Sequence, residues 1–129
     1  MPRTTHKVAW TESAALDLDA IVRFIATDAP LNALKVLSKI RGATDGLVRF
    51  PERGRVVPEL AENGIVAYRE LVVRPYRIVY RMHGRDVYIL TVIDGRRDVE
   101  DLLLERLTCR PPESRPDDVV TKRDRRKKK

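Results

Sequence analysis

The chain has 129 residues, 43% of them apolar and 35% charged, with a formal net charge of +7. That length fits one domain with one hydrophobic core. The single cysteine, Cys109, excludes an intrachain disulfide framework and a cysteine-based zinc motif. No stretch approaches the length of a membrane span and the first ten residues carry no apolar signal-like run, so the sequence predicts a soluble cytoplasmic protein with no membrane partner.

The charge is unevenly placed. Residues 108–129 hold nine Lys/Arg against four acids, a net of +5, whereas the first 107 residues hold 17 against 15, a net of +2. The last 22 residues also lack apolar periodicity, which predicts a disordered basic tail at 108–129 behind a single domain at 1–107. The positive character of the domain must therefore come from local arginine placement.

In chain order, Lys7–Trp10 is a short strand candidate, and Thr11 is placed to cap a helix over Glu12–Asp28. Ala14, Leu18, Ile21, Val22 and Ile25 recur there at helical spacing. Asp28-Ala29-Pro30 ends that helix and starts a second one, Leu31–Phe50, with Ala33, Leu37, Ile40, Thr44 and Leu47 as its stripe. So short a break predicts an antiparallel helical hairpin. A loop rich in Pro, Gly and charge follows, from Phe50 to Gly64. Three strands are expected at Ile65–Val73, Tyr76–Met82 and Val87–Ile93, the last two joined by a tight hairpin at His83–Asp86. Asp98–Leu107 reads as a closing helix capped by Asp98. The order β-α-α-β-β-β-α predicts an α+β fold, a mainly antiparallel sheet with the helical hairpin on one face.

Arginines thread the strand region, with Arg69, Arg74, Arg77, Arg81, Arg96 and Arg97 all inside it. Alternation sends Tyr76, Ile78, Tyr80 and Met82 to one face and Arg77, Val79 and Arg81 to the other. The expectation is an apolar face under the helices and an open cationic face suited to a polyanion or an acidic protein segment. The plainer alternative is that these arginines pair with Glu59, Glu70 or Asp94. Leu102, Leu103 and Leu104 are three consecutive large apolar residues, which one helix stripe cannot bury together. They are candidates for docking a helix or strand of a partner protein or a second copy, or for a groove that buries two of the three.

Four stretches in order resemble the RelE/ParE superfamily of bacterial toxins from type II toxin–antitoxin systems. They are Val8-Ala9-Trp10-Thr11 with Asp17-Leu18, Phe24-Ile25-Ala26, Asp28 and Pro30; Pro51–Glu59; Tyr68-Arg69-Glu70-Leu71 with Tyr76–Arg81; and Val92–Asp98. The resemblance spans about residues 7–107. It implies a growth-inhibiting toxin held inactive in complex with a cognate antitoxin. The sequence itself offers no sign of a metal site or an organic cofactor, so none is expected. One branch of the superfamily disables DNA gyrase without nuclease chemistry; the other cuts messenger RNA on the ribosome.

For RNA cleavage the 2′-hydroxyl must be activated, the phosphate neutralised and the leaving oxygen protonated. Arg77, Arg81 and Arg96 are the candidate phosphate clamps, because a guanidinium stays charged and donates in pairs. Arg55, Arg69, Arg74 and Arg97 are candidate target contacts. Asp94 stands where many ribonuclease relatives have histidine, and Leu102 about where a catalytic tyrosine is expected. An ordinary aspartate, with a pKa near ~3.9, is a weak base. His83 reads as a turn residue. The missing acid–base pair and the long helical hairpin favour gyrase inhibition, with the ribosome-dependent endoribonuclease as the alternative.

Overall fold

The computed structural model describes residues 6–97 and 99–108. Strand β1 (Lys7–Trp10) leads through Thr11 into helix α1 (Glu12–Asp28). The Thr11 hydroxyl accepts the Ala14 N–H at 3.2 Å and donates to the Ile89 carbonyl at 2.9 Å. One threonine thus caps the helix and fastens its start to the sheet. Helix α2 (Pro30–Asp45) follows directly, with Pro30 in its first turn, and closes in a 3-10 turn at Gly46–Val48. The second helix is therefore shorter than its apolar pattern suggested, since the chain tightens at Gly46 rather than continuing to Phe50.

The expected loop from Phe50 to Gly64 contains two short elements, strand β2 (Arg55–Val56) and helix α3 (Pro58–Ala61). Two- and four-residue elements carry no readable periodicity, so no sequence pattern marks them. Strands β3 (Tyr68–Val73), β4 (Tyr76–His83) and β5 (Asp86–Asp94) and helix α4 (Val99–Thr108) complete the chain. The five strands lie in the order β1-β5-β4-β3-β2; β1 runs parallel to β5 and every other neighbour pair is antiparallel. The fold is α+β, as expected. The predicted cap Asp98, the lone Cys109 and the basic tail 109–129 lie outside the described residues.

The hairpin α1–α2 covers one face. Ala14, Leu18, Ile40 and Leu47 pack there against Leu71, Ile78, Tyr80, Val87, Ile89 and Val92, with Tyr76 and Met82 at the margin. Strand β1 stops at Trp10, opposite Ile89, so the edge of β5 beyond it lacks a strand neighbour on that side. Asp17 of α1 serves that edge: its carboxylate accepts the Val92 N–H at 3.0 Å and the Thr91 hydroxyl at 2.7 Å. A buried backbone donor is thereby satisfied without a strand.

The opposite face is not open, which corrects the expectation of a bare cationic surface. Helices α3 and α4 cover part of it with a second cluster: Val57, Leu60, Tyr68, Val79, Ile93, Val99 and Leu103. A register shift in β5, where Val79 faces Thr91 and Tyr80 faces Ile89, turns Leu90 to this side beside Ile93.

Candidate functional site

The arginines divide into three environments set by position along the sheet. The first is central. Arg77 is on β4, flanked by Val72 and Ile93, on the face under α3. Its Nε and Nη2 donate to Glu70 at 2.7 and 3.0 Å, and its Nη1 and Nη2 donate to Glu59 at 3.0 and 2.7 Å. Arg55 donates from Nε to the same Glu70 at 2.6 Å. The Glu70 side chain is fully buried and Arg77 is only 8% exposed. These carboxylates hold the Arg77 guanidinium above its ordinary pKa, the hydrogen bonds it donates to Glu59 contributing most. The same bond draws Glu59 below the ordinary carboxylate value. Arg77, expected as a phosphate clamp on an open face, is spoken for by two carboxylates beneath α3. The plainer alternative raised from the sequence describes its geometry.

Glycine makes this packing possible at two points. A Cβ on Gly54 would lie 2.5 Å from the Glu70 carbonyl oxygen and 2.6 Å from the Tyr80 hydroxyl. A Cβ on Gly95 would lie 2.9 Å from both the Pro75 carbonyl oxygen and the Arg77 Cδ. Backbone approaches this close to the ion cluster admit no side chain.

The second environment is the end of the sheet where the β3–β4 turn meets the end of β5. The Gly95 N–H donates to the Pro75 carbonyl at 2.7 Å, tying the two together. Arg74, Arg96 and Arg97 are exposed at this tip. Arg96 grips Asp94 with Nε at 2.9 Å and Nη2 at 2.7 Å, and its backbone N–H donates to the same carboxylate at 3.0 Å. These bonds, and the charge of Arg97 close by, lower the Asp94 pKa to about 2. Half-buried Tyr76 sits opposite Asp94 and within electrostatic reach of Arg96. Three guanidinium groups and one permanently ionised carboxylate can bind anions and acidic surfaces here. Asp94 is a poorer proton acceptor than its residue type suggests.

The third environment lies towards the other end of β4. Arg81 stands opposite Tyr68 and Tyr88, with its guanidinium carbon 5.6 Å from the Tyr68 ring centroid. It shares a face with Arg77 but stands four residues along the strand, about 13 Å away. Arg69 lies opposite Tyr80, which packs under the helices, so it belongs to the hairpin side. Its Nη1 donates to the Gly54 carbonyl at 2.8 Å. The seven expected arginines thus form no single cationic face.

Helix α4 separates the three leucines. Leu103 is fully buried in the second cluster, Leu102 packs partly against it, and Leu104 is 36% exposed. Leu103 is therefore a core residue rather than part of a docking surface. His83 occupies an exposed hairpin position, its ring centroid 6.5 Å from that of Tyr88. Among the described residues no group of three or more His, Cys, Asp or Glu side chains is arranged to hold a metal ion. Sequence reasoning passed over the turn Phe50–Arg53, whose only signal was a large aromatic within the arginine-dense run Arg49-Phe50-Pro51-Glu52-Arg53-Gly54-Arg55.

Residues 8–99 match the family described as ParE toxin of type II toxin-antitoxin system, parDE. The chain belongs to the ParE toxin family. Toxin RelE2 of Caulobacter vibrioides is 36% identical over 92 residues, which cover 70% of this chain and 97% of that protein. Toxin ParE3 of the same organism is 31% identical over 97 residues, covering 72% and 90%. Among solved structures, the chromosomal ParDE system from P. aeruginosa superposes with a TM-score of 0.59 at 26% identity, covering 70% of this chain and 97% of that one. The matches reach into both the RelE and the ParE names, so the chain is a RelE/ParE superfamily toxin of the type II class. Among the described residues no helix is long and apolar enough to cross a membrane.

Proposed function

We propose that this ParE-family toxin acts in the cytoplasm by gripping a protein target, DNA gyrase, rather than by cutting RNA, and that a cognate antitoxin neutralises it. One observation carries the choice between the two chemistries. The buried arginine is saturated by Glu59 and Glu70, and the acid beside the exposed arginines is held near a pKa of about 2. General acid–base catalysis works best with a group whose pKa lies near the working pH. The tip bearing Arg74, Arg96 and Arg97 suits electrostatic docking on an acidic surface, with no proton transfer required. The ParDE neighbour supports an antitoxin partner.

Purified protein is expected to block gyrase supercoiling of relaxed plasmid, and Arg96→Ala to weaken that block. Full gyrase activity at excess toxin sinks this reading. The alternative, a ribosome-dependent endoribonuclease, is favoured by one arrangement: a half-buried tyrosine, Tyr76, near Arg96 among exposed guanidinium groups. New messenger ends in primer extension on translating ribosomes, lost in Tyr76→Phe, would replace the first reading with this one.

A further inference from the structure

We infer that the Phe50–Arg53 turn is a docking knob for an acidic segment of the antitoxin: Phe50 enters an apolar pocket of the partner while Arg49, Arg53 and Arg55 meet its carboxylates. The inference rests on the reading that a protein antitoxin neutralises this chain. It concerns a surface remote in sequence from the arginine tip proposed for the target.

The turn is fixed from the inside. The Phe50 N–H donates to the Gly46 carbonyl at 3.0 Å and the Arg53 N–H to the Phe50 carbonyl at 3.1 Å. The Tyr80 hydroxyl, rising from the sheet, donates to the Pro51 carbonyl at 2.7 Å and accepts the Gly54 N–H at 2.9 Å. Arg69 donates to the Gly54 carbonyl at 2.8 Å and reaches the Glu52 carbonyl at 3.5 Å. Arg53 lays its guanidinium where a Gly46 Cβ would be, at the carbonyl end of α2. Yet Phe50 itself is 65% exposed. A phenyl ring that the fold leaves in water, on backbone this well fastened, is pre-organised for a partner, because little further ordering entropy is lost on binding.

Its surroundings specify the chemistry. Arg49 and Arg53 stand beside Phe50 in the chain and are exposed, as is Arg55 just beyond Gly54, with Glu52 as the single acid from 49 to 55. Arg55 shares the buried Glu70 with Arg77, so that carboxylate is already matched by two guanidinium groups. The local field is positive and calls for an anionic partner. Nucleic acid is the weaker fit. Single strands are held in grooves where successive bases stack on several aromatics. Here a single exposed ring, Phe50, stands in a turn held by its own backbone bonds. An exposed aromatic with arginines next to it in the chain is the composition of a protein–protein hot spot.

The test uses the full chain and the antitoxin encoded beside it, with affinity read by calorimetry and association rate by surface plasmon resonance. Wild-type chain that fails to bind the antitoxin overturns the toxin–antitoxin reading and this inference with it. Given binding, Phe50→Ala is expected to raise Kd by about tenfold or more. Arg53→Glu is expected to slow association and to flatten its salt dependence. Both changes lie on the surface, and unchanged circular dichroism melting checks that the fold persists. A Kd within about twofold of wild type for Phe50→Ala, Phe50→Asp and Arg53→Glu alike overturns the inference, whatever happens to toxicity. So does loss of binding to a 20-nucleotide oligo-dT at the same substitutions while antitoxin affinity persists, which would make the turn a nucleic-acid contact.

Discussion

Arg77 and Arg96 come from the same strand-rich stretch and both grip a carboxylate with two nitrogens, yet they belong to different parts of the protein's physics. Arg77 sits under α3 between two glutamates, one of them fully buried. Arg96 stands at the sheet tip with 71% of its side chain in solvent. Buried, a charge left without its partner is costly; in water, the same loss is nearly neutral. The first pair therefore serves the fold, and the second leaves a guanidinium whose outward side faces water. Exposure, more than pairing, decides which arginine is available for recognition.

Substitutions can break this contrast. The largest effect is expected at Glu70→Ala, which removes two of the four hydrogen bonds Arg77 makes to Glu59 and Glu70, takes the carboxylate from Arg55 and leaves a buried cavity. A loss of about 3–5 kcal/mol in urea unfolding is expected, and a loss under ~1 kcal/mol would place the cluster with surface pairs. Gly54→Ala comes next, since its Cβ collides with Glu70 backbone and the Tyr80 ring. Overpacking of this kind costs about 1–3 kcal/mol, read as a lowered melting temperature. Tyr80→Phe leaves the Gly54 N–H and the Pro51 carbonyl without their shared partner, and about 1–3 kcal/mol of stability is again expected to go. Arg96→Ala, by contrast, should leave unfolding within about 0.5 kcal/mol of wild type while relieving growth arrest in cells. If it unfolds the protein, the tip is structural after all.

The smallest effect is a titration. Asp94 has its folded pKa depressed from an ordinary 3.8 to about 2, and Glu59 is also lowered from 4.5. A depressed carboxylate contributes stability that is complete above its unfolded value and lost as pH falls through its folded value. Stability from these groups should therefore stay level from pH 5 to pH 8, a window above both ordinary values, and decline below about pH 4. Carboxyl carbon NMR should place the Asp94 midpoint near pH 2 and return it towards 3.8 in Arg96→Ala. A midpoint unmoved by that substitution would remove Arg96 as the cause.

Much of the architecture was legible in the chain. Of the period-3.6 stripes read for the two helices, Ala14, Leu18, Ala33, Ile40, Thr44 and Leu47 are buried and Ile21, Val22, Ile25 and Leu37 are half-buried. Period-2 alternation in β4 correctly sends Tyr76, Ile78, Tyr80 and Met82 towards the helices. Thr11 as a cap and Pro30 as a helix start hold to the residue. These features are local, fixed by the bonding needs and side-chain directions of a few consecutive residues.

The fate of each arginine was decided only in three dimensions. Alternation puts Arg77 on the face away from the hairpin, but it carries no information about whether four residues at Pro58–Ala61 will close over it. Glu59 and Glu70 are 18 and 7 residues from Arg77, and only the β2–β3–β4 pairing brings both within hydrogen-bonding distance. The sequence by itself determined the long elements, the apolar face and the toxin family; the short β2 and α3 it left as loop. The tertiary structure decided which charges are sealed and which meet water, because desolvation is a property of everything packed around a group and never of the group alone.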